Sequence, residues 1–396
     1  MEGDDMNLKD IQQKLMTQEE DSIKLLKRFV EIESFSYDKQ GIDNLCRVIT
    51  NIFQELPVSI EELQEETLGN HLRITYGEGN RQITILSHLD TVYPRGTLEI
   101  MPFRLDGNKV SGPGVYDMKV SYVMMYHLFK LLRENKGPGD DVRIVWLLTS
   151  DEEIGSPSGK HHVYREADKS EVILVLEPTG GDGALKTSRK GGGKFRIEVK
   201  GISAHAGVNP EEGANAIEEL VYQISKIAAL ADSSKGTSIN TGEIRGGTLF
   251  NVVAEHAVAE VDVRVLIPSE AERIENAFKS LTVNNPKTSL SVEGSIYRPP
   301  MIRTDKTGVL FNLACAVAEE IGLTLSEVMT GGGSDGNYAA SRGVPVLDGL
   351  GVVGGYAHSP EEFLWKDTIA ERTSLLYGLV LSLIRKQHWH IDNIVN

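Results

Sequence analysis

The chain lacks most of the features that decide a protein's class at a glance. Only two cysteines, Cys46 and Cys315, occur in 396 residues. They lie far apart, each in an apolar-periodic segment, so buried thiols are expected rather than a disulfide. Neither has metal-ligand spacing. Any bound metal must therefore be held by histidines and carboxylates. No apolar run approaches the ~20 residues of a membrane-spanning helix, so no membrane partner is expected. Residues 1–21 are acidic and polar, without the basic start and apolar core of a secretory signal. A cytoplasmic location is the expectation. Positive charge is in deficit: 41 lysines and arginines against 57 aspartates and glutamates leave a net charge of −16. Such a surface repels phosphate backbones, and no basic stripe with interleaved aromatics offsets it, so no nucleic-acid partner is expected. There is no internal repeat and no low-complexity segment.

What is present reads as an α/β protein of about two domains. Residues 20–33 and 41–55 carry apolar side chains at helical spacing, among them Ile23, Leu26, Phe29 and Val30, then Leu45, Val48, Ile49 and Phe53. Short β-branched runs at 82–87, 142–149 and 172–176 have strand length, with a helical stretch at 120–134 between the first two. That alternation predicts a sheet covered on both faces. The style changes near residue 191. Gly191, Gly192 and Gly193 open an alternating strand over 194–200. A helix at 213–230, strands near 238–246 and 258–265, and a helix at 269–281 follow. This β-α-β-β-α-β order suggests a small α+β domain. The first style returns with segments at 307–321, 344–347 and 368–384. The expected division is a catalytic domain from 1–190 and 304–396, interrupted by an inserted domain at 191–303. The tail after Arg385 is expected to pack loosely.

Five polar clusters stand at strand ends or in glycine-rich loops, where sites form in open α/β sheets. His88 and Asp90 follow an apolar strand; the histidine can offer a ring nitrogen to a metal while a carboxylate fixes its tautomer. A satisfied histidine in a turn explains it equally well. Asp117 follows Gly112-Pro113-Gly114 and precedes a helix, as a ligand or as a cap. Asp151, Glu152 and Glu153 end another strand. Adjacent carboxylates repel unless a cation or a shared proton relieves them, so one can bind metal while its neighbour acts as a base; a solvated acidic turn is the plainer reading. Glu177 ends a buried strand just before Pro178, and His358 lies in a glycine-rich loop; each alone is commonplace. Together they form a set of hard oxygens and imidazoles, suited to zinc, cobalt or manganese. A carboxylate bridging two ions about 3.5–4 Å apart is one arrangement such a set can build.

The order of these motifs resembles one family. His88-Leu89-Asp90, residues 112–119, Asp151-Glu152-Glu153, Glu177-Pro178, Ser203-Ala204-His205-Ala206-Gly207 and His358 occur as in the family of glutamate carboxypeptidases, acetylornithine deacetylase, succinyl-diaminopimelate desuccinylase and aminoacylase. The likeness covers residues 20–385. It implies a mixed-sheet α/β catalytic domain with an inserted ferredoxin-like lid and dimerisation domain. It also implies two zinc ions, with cobalt or manganese as substitutes. Asp117 would bridge them, His88 and Glu177 would complete one set, and Glu153 and His358 the other. Glu152 would be the general base acting on a metal-bridging water, and Asp90 would orient His88. A cis peptide after Asp117 is implied, costing about 3–4 kcal/mol and marking a functional constraint. His205 would reach across a homodimer to hold the oxyanion in the partner's site. Asn251 and Arg264 would bind the substrate's carboxylate, the arginine by pairing both oxygens, though Arg264 could instead be a surface salt-bridge partner. The loop with Gly332, Gly333 and Ser334 would line that pocket with backbone donors. It has no Walker lysine, which excludes a nucleotide reading. His388 and His390 look like a metal pair but lie in the tail and are set aside.

Two departures stand out. Val120 and Ser121 replace two glycines common in the family, which would crowd the helix behind the metals, and Ala254 stands where proline is frequent. The resemblance implies an exo-acting amidohydrolase, cleaving a peptide or N-acyl amide beside a free carboxylate in a small substrate. Thr91-Val92-Tyr93-Pro94 and the Ser334-Asp335 loop favour the glutamate-carboxypeptidase-like branch. An N-acetyl or N-succinyl amino-acid deacylase is the alternative within enzymes. A non-catalytic binding protein on the same scaffold is the alternative outside them.

Overall fold

A strand covered on both faces needs apolar side chains on both, and the segments at 81–88 and 142–149 meet that demand. In the computed structural model, which describes residues 7–135 and 137–385, they form neighbouring strands of a six-stranded mixed sheet. Its order is Ser59–Leu63, His71–Tyr76, Val142–Thr149, Arg81–His88, Val172–Val175 and Val346–Leu347. The last four are mutually parallel. His71–Tyr76 runs against them, and Ser59–Leu63 against it in turn. These two strands have no counterpart in the sequence reading. Ser59–Leu63 is a half-exposed edge with no apolar run. His71–Tyr76 carries His71 and Arg73 among its apolar residues.

The chain divides into two compact units. The second comprises Arg189–Ile302 and Thr330–Gly333, and the other described residues form the first. In the first unit, the helices Leu8–Thr17, Glu19–Val30, Lys39–Phe53, Val120–Glu134 and Asp367–Arg385 supply one continuous core with the sheet. Trp146 is fully buried at its centre, 5.0 Å from the Phe53 ring and 6.1 Å from the Tyr122 ring. Burying an aromatic of that size contributes on the order of 2–3 kcal/mol. Both cysteines are free thiols, Cys46 buried and Cys315 half-buried. No helix among the described residues is long and apolar enough to cross a membrane.

The second unit has its own antiparallel sheet, in the order Ser238–Gly246, His256–Val265, Gly191–Lys200 and Ser289–Arg298. With helices Ala216–Ala228 and Pro268–Lys279 the chain order is β-α-β-β-α-β, the ferredoxin-like arrangement. Phe195 and Phe278 stack in its core, their centroids 4.0 Å apart. The strand opening at Gly191 has a steric reason for glycine. A Cβ there would sit 2.6 Å from the Arg298 carbonyl oxygen and 2.7 Å from the Pro300 nitrogen. The tail after Arg385, with His388 and His390, lies outside the described residues.

Three histidines are buried in the first unit, His71, His88 and His127, and two of them lie in surroundings that disfavour a charge. Burial pushes His71 down to about 3 and His127 down to about 4. His127 Nε2 lies 2.8 Å from the Ser22 hydroxyl, which itself donates to the Gln18 carbonyl; the imidazole is therefore the donor, and its burial keeps it neutral near pH 7. A histidine depressed in the fold contributes stability that is fully present above its unfolded pKa of ~6.5 and is lost as pH falls toward the folded value. His127→Gln keeps a donor and removes the titration. Its denaturant-measured stability is expected to fall less than that of the wild type between pH 7 and pH 4.5, by roughly 2 kcal/mol. Parallel pH dependences in the two proteins would show that His127 does not titrate in this range.

Candidate metal centre

Sheet register brings the first residues together. His88 ends its strand opposite Thr149, and Leu86 lies opposite Val175. Two residues beyond Val175, Glu177 therefore reaches the level of His88, and the acids after Thr149 reach it from the other side. Asp117 arrives from the loop between strand Lys109–Ser111 and helix Val120–Glu134, where the Asp117–Met118 peptide is cis. His358 comes from a loop in which it adopts a φ of +64°.

Asp117 divides its two oxygens. His88 Nε2 lies 3.1 Å from Oδ1 and 3.7 Å from Glu177 Oε1. His358 Nε2 lies 3.3 Å from Oδ2 and 3.1 Å from Glu153 Oε2. Two three-residue sets result, His88–Asp117–Glu177 and Asp117–Glu153–His358, the ligand atoms within each lying within 4.8 Å of one another. Asp117 is common to both.

Elementary electrostatics decides what this cluster suits. His88 Nδ1 is 2.9 Å from the Asp90 carbonyl, which can only accept, so the ring hydrogen sits on Nδ1. In a neutral ring the Nε2 lone pair would face two carboxylates, a repulsion that either a proton or a metal cation on that nitrogen removes. Burial opposes a charge on His88, but its contacts with Asp117 and Asp90 hold the ring well above the ordinary histidine range. Hydrogen bonds with Asp117 and Glu153 push His358 up to about 11. Burial pushes Glu153 up to about 8 against the pull of His358. Burial also opposes the charge of Asp117, but His358 and His88 hold it well below the carboxylate range. Glu153 Oε1 is buried without a hydrogen-bond partner. A cluster that binds protons this avidly and leaves a buried carboxylate oxygen unpaired fits divalent cations held by imidazole and carboxylate.

The three consecutive acids separate into distinct environments. Asp151 is turned away: Oδ2 accepts the Ser158 N–H at 2.7 Å and its hydroxyl at 2.8 Å, and the Gly159 N–H also points to it. It caps helix Gly159–Ala167. Glu153 faces His358, and Glu152 is 7% exposed. Asp90 stands beside His88, and its backbone carbonyl and its carboxylate divide the work. The His88 ring N–H goes to Asp90's own carbonyl, and the carboxylate is 3.5 Å from that nitrogen. The carboxylate also accepts the backbone N–H groups of Glu152 and Glu153, each at 3.1 Å, and the Ser36 hydroxyl at 2.7 Å. Asp90 thus ties the histidine strand to the turn bearing the acids. Ser36 was not foreseen, and no local pattern marks it.

Val120 and Ser121 are both buried at the start of their helix, and the Ser121 hydroxyl has no hydrogen-bond partner. The crowding expected there is accommodated at the cost of one unsatisfied hydroxyl, about 1–3 kcal/mol. A third cluster, Glu65, His71 and His162, has suitable atoms within 4.8 Å. There His71 Nδ1 accepts the Ser150 N–H at 3.0 Å, so Nε2 carries the hydrogen and the ring has no lone pair left for an ion.

His205, Asn251, Arg264, Gly332 and Gly333 belong to the second unit. His205 is exposed, and its Nδ1 accepts the Gly207 N–H at 3.1 Å. The exposed Asn251 accepts the Ala206 N–H through its carbonyl at 3.0 Å. Arg264 pairs with Asp262 through Nε at 2.9 Å and Nη2 at 3.0 Å. The Gly332 and Gly333 carbonyls accept from Arg189 Nη1 at 3.2 and 3.1 Å. Ser334, in the first unit, is fully buried. Its hydroxyl donates to Asp348 at 2.6 Å and accepts the Gly336 N–H, and its N–H goes to Asn337. It caps helix Asp335–Ala340, and neither its hydroxyl nor its N–H is offered to a ligand.

Comparison with known proteins agrees with this geometry. The chain is 30% identical to carboxypeptidase G2 of Pseudomonas sp. (strain RS-16) over 372 residues, covering 91% of this chain and 89% of that protein. It is 29% identical to succinyl-diaminopimelate desuccinylase of Delftia acidovorans over 283 residues, covering 66% and 71%. The fold is shared with aminopeptidase PepT of Bacillus cereus, at a TM-score of 0.76 and 24% identity over 92% of this chain and 98% of that one. Residues 84–382 match the model of peptidase family M20/M25/M40. The chain belongs to that family, and it is a metal-dependent hydrolase of the metallopeptidase type.

Proposed function

We propose that the chain is a di-zinc, exo-acting amidohydrolase that cleaves a peptide or N-acyl amide next to a free carboxylate. The observation that carries this is Asp117, whose two oxygens face two histidines in two separate ligand sets. His88, Asp117 and Glu177 hold one ion; Asp117, Glu153 and His358 hold the other. Bound divalent ions supply Lewis acidity and a water acidified toward neutrality. Glu152 is the general base: it takes up the proton of the attacking water and passes it to the leaving nitrogen. Asp90 holds that base in place through its backbone N–H.

His205 supplies the oxyanion donor to a partner subunit's site. Because its Nδ1 accepts from Gly207, the ring hydrogen sits on Nε2, the nitrogen free to point outward. A homodimer through the second unit is supported by exposed apolar side chains there, with Val208 75%, Leu249 64% and Phe250 fully accessible. The open edge of strand Ser238–Gly246 could pair with a second copy. Asn251 and Arg264 hold the substrate's carboxylate, Arg264 through the Nη1 side that Asp262 leaves unused. Gly332 and Gly333 line the pocket, with Ser334 as the cap that ends their turn. Two free thiols accord with a reducing, cytoplasmic setting.

Likeness to carboxypeptidase G2 across most of the chain favours the carboxypeptidase reading. Likeness to the desuccinylase over two thirds of it keeps N-acyl deacylation as the second. Paired substrates separate them: dipeptides and N-acyl amino acids, each with a free or amidated carboxyl end. Hydrolysis confined to free-carboxylate members is expected, and equal hydrolysis of amidated members would overturn the exo-acting reading. Glu152→Gln is expected to lower kcat by about 10²–10⁴-fold while keeping both metals; unchanged turnover would remove it as the base. His205→Ala is expected to lower kcat by about 10²–10³-fold with metal content and oligomeric state unchanged. Full activity in that variant would end the oxyanion assignment.

A further inference from the structure

Four residues past His358, Glu362 is fully buried and no part of the scheme above uses it. Its Oε1 accepts the N–H of Tyr116 at 2.8 Å and of Asp117 at 3.0 Å. Its Oε2 accepts the Gly114 N–H at 3.3 Å and the Tyr93 hydroxyl at 2.5 Å. The same hydroxyl lies 2.9 Å from the Ser359 carbonyl. One carboxylate thus collects three backbone donors from the Asp117 loop and one side-chain donor from the segment just after His88 and Asp90. It does so from within the loop that carries His358. Only a group that accepts on both oxygens satisfies four donors.

We propose that Glu362, with Tyr93, is a positioning residue for the dinuclear centre. Its carboxylate locks the segments bearing Asp117, His88 and His358 at the spacing that two metal ions require. The inference rests on the metal-centre reading above. Glutamine is no substitute, because its single oxygen answers one side while its NH2 faces donors on the other. Tyr93→Phe is the gentler change, removing one donor and leaving all three backbone bonds.

Whether Glu362 sets ligand geometry or merely stabilises the fold is decided by metal affinity in folded protein. Full-length wild type, Glu362→Gln and Tyr93→Phe are stripped of metal and titrated with Co²⁺ against a chromophoric chelator. The absorption spectrum of the bound cobalt, the melting of the metal-free protein, and kcat and KM on one substrate are recorded alongside. The wild type is expected to bind two ions per chain. Glu362→Gln is expected to bind them about 10–100-fold more weakly, with an altered cobalt spectrum and a lower kcat at a KM within about threefold. Tyr93→Phe shifts the same readouts in the same direction by less. Unchanged affinity and spectrum in both variants, with only the metal-free melting lowered, would overturn the inference. If Glu362→Gln does not fold, Tyr93→Phe decides alone. A wild type that binds no cobalt would instead overturn the metal-centre reading itself.

Discussion

Everything at this site depends on one imbalance of charge. Asp117, Glu153 and Glu177 crowd two imidazoles at 3.1–3.7 Å, with Asp90 and Glu152 close behind; the His88 side is buried, while His358 stands at the half-open mouth of the cluster. Left alone, such a group of carboxylates disfavours the fold. The protein answers with protons, which is why burial lifts Glu153 and the carboxylates lift both histidines. Divalent cations answer it better, because each replaces a proton and brings a higher charge to the same lone pairs. Metal binding, acid–base poise and loop geometry are on this view one property.

The scaffold's contribution is register. Parallel pairing of Arg81–His88 with Val142–Thr149 and with Val172–Val175 delivers three strand ends to one level, and covered faces make that register hard to slip. The remaining members of the cluster come from loops, and loops need ties. Asp90 ties the histidine strand to the turn bearing Glu152 and Glu153. Glu362 ties the Asp117 loop to the His358 loop. Both ties are buried carboxylates gathering backbone N–H groups, set beside the carboxylates that face the two imidazoles.

That versatility marks what a single chain could reveal. The β-branched runs, the change of style near residue 191 and the β-α-β-β-α-β order are periodic features, and they were legible. The acids at strand ends were legible too, since an apolar strand running into Asp-Glu-Glu conflicts with burial unless something pays the charge. Roles among like residues were not. Asp151 caps a helix while Glu153 faces His358, and no local pattern distinguishes them. Asp90 lies beside the His88 ring, but that its carboxylate also holds backbone groups 62 and 63 residues away in sequence has no local signal. Ser334 read as pocket lining and is a buried helix cap. Strands Ser59–Leu63 and His71–Tyr76 escaped because edge position and mixed polarity weaken the alternation that betrays a strand.

If cations take the place of protons at the centre, loading them must push those protons into solvent. The direct measurement is calorimetric titration of metal-free protein with Zn²⁺ near neutral pH, in buffers of different ionisation enthalpy, which counts the protons released as the ions bind. Two ions per chain with release of about one proton or more per ion is the expected result. Stoichiometric binding with no proton release would mean that the cluster around Asp117 is not where the metal goes.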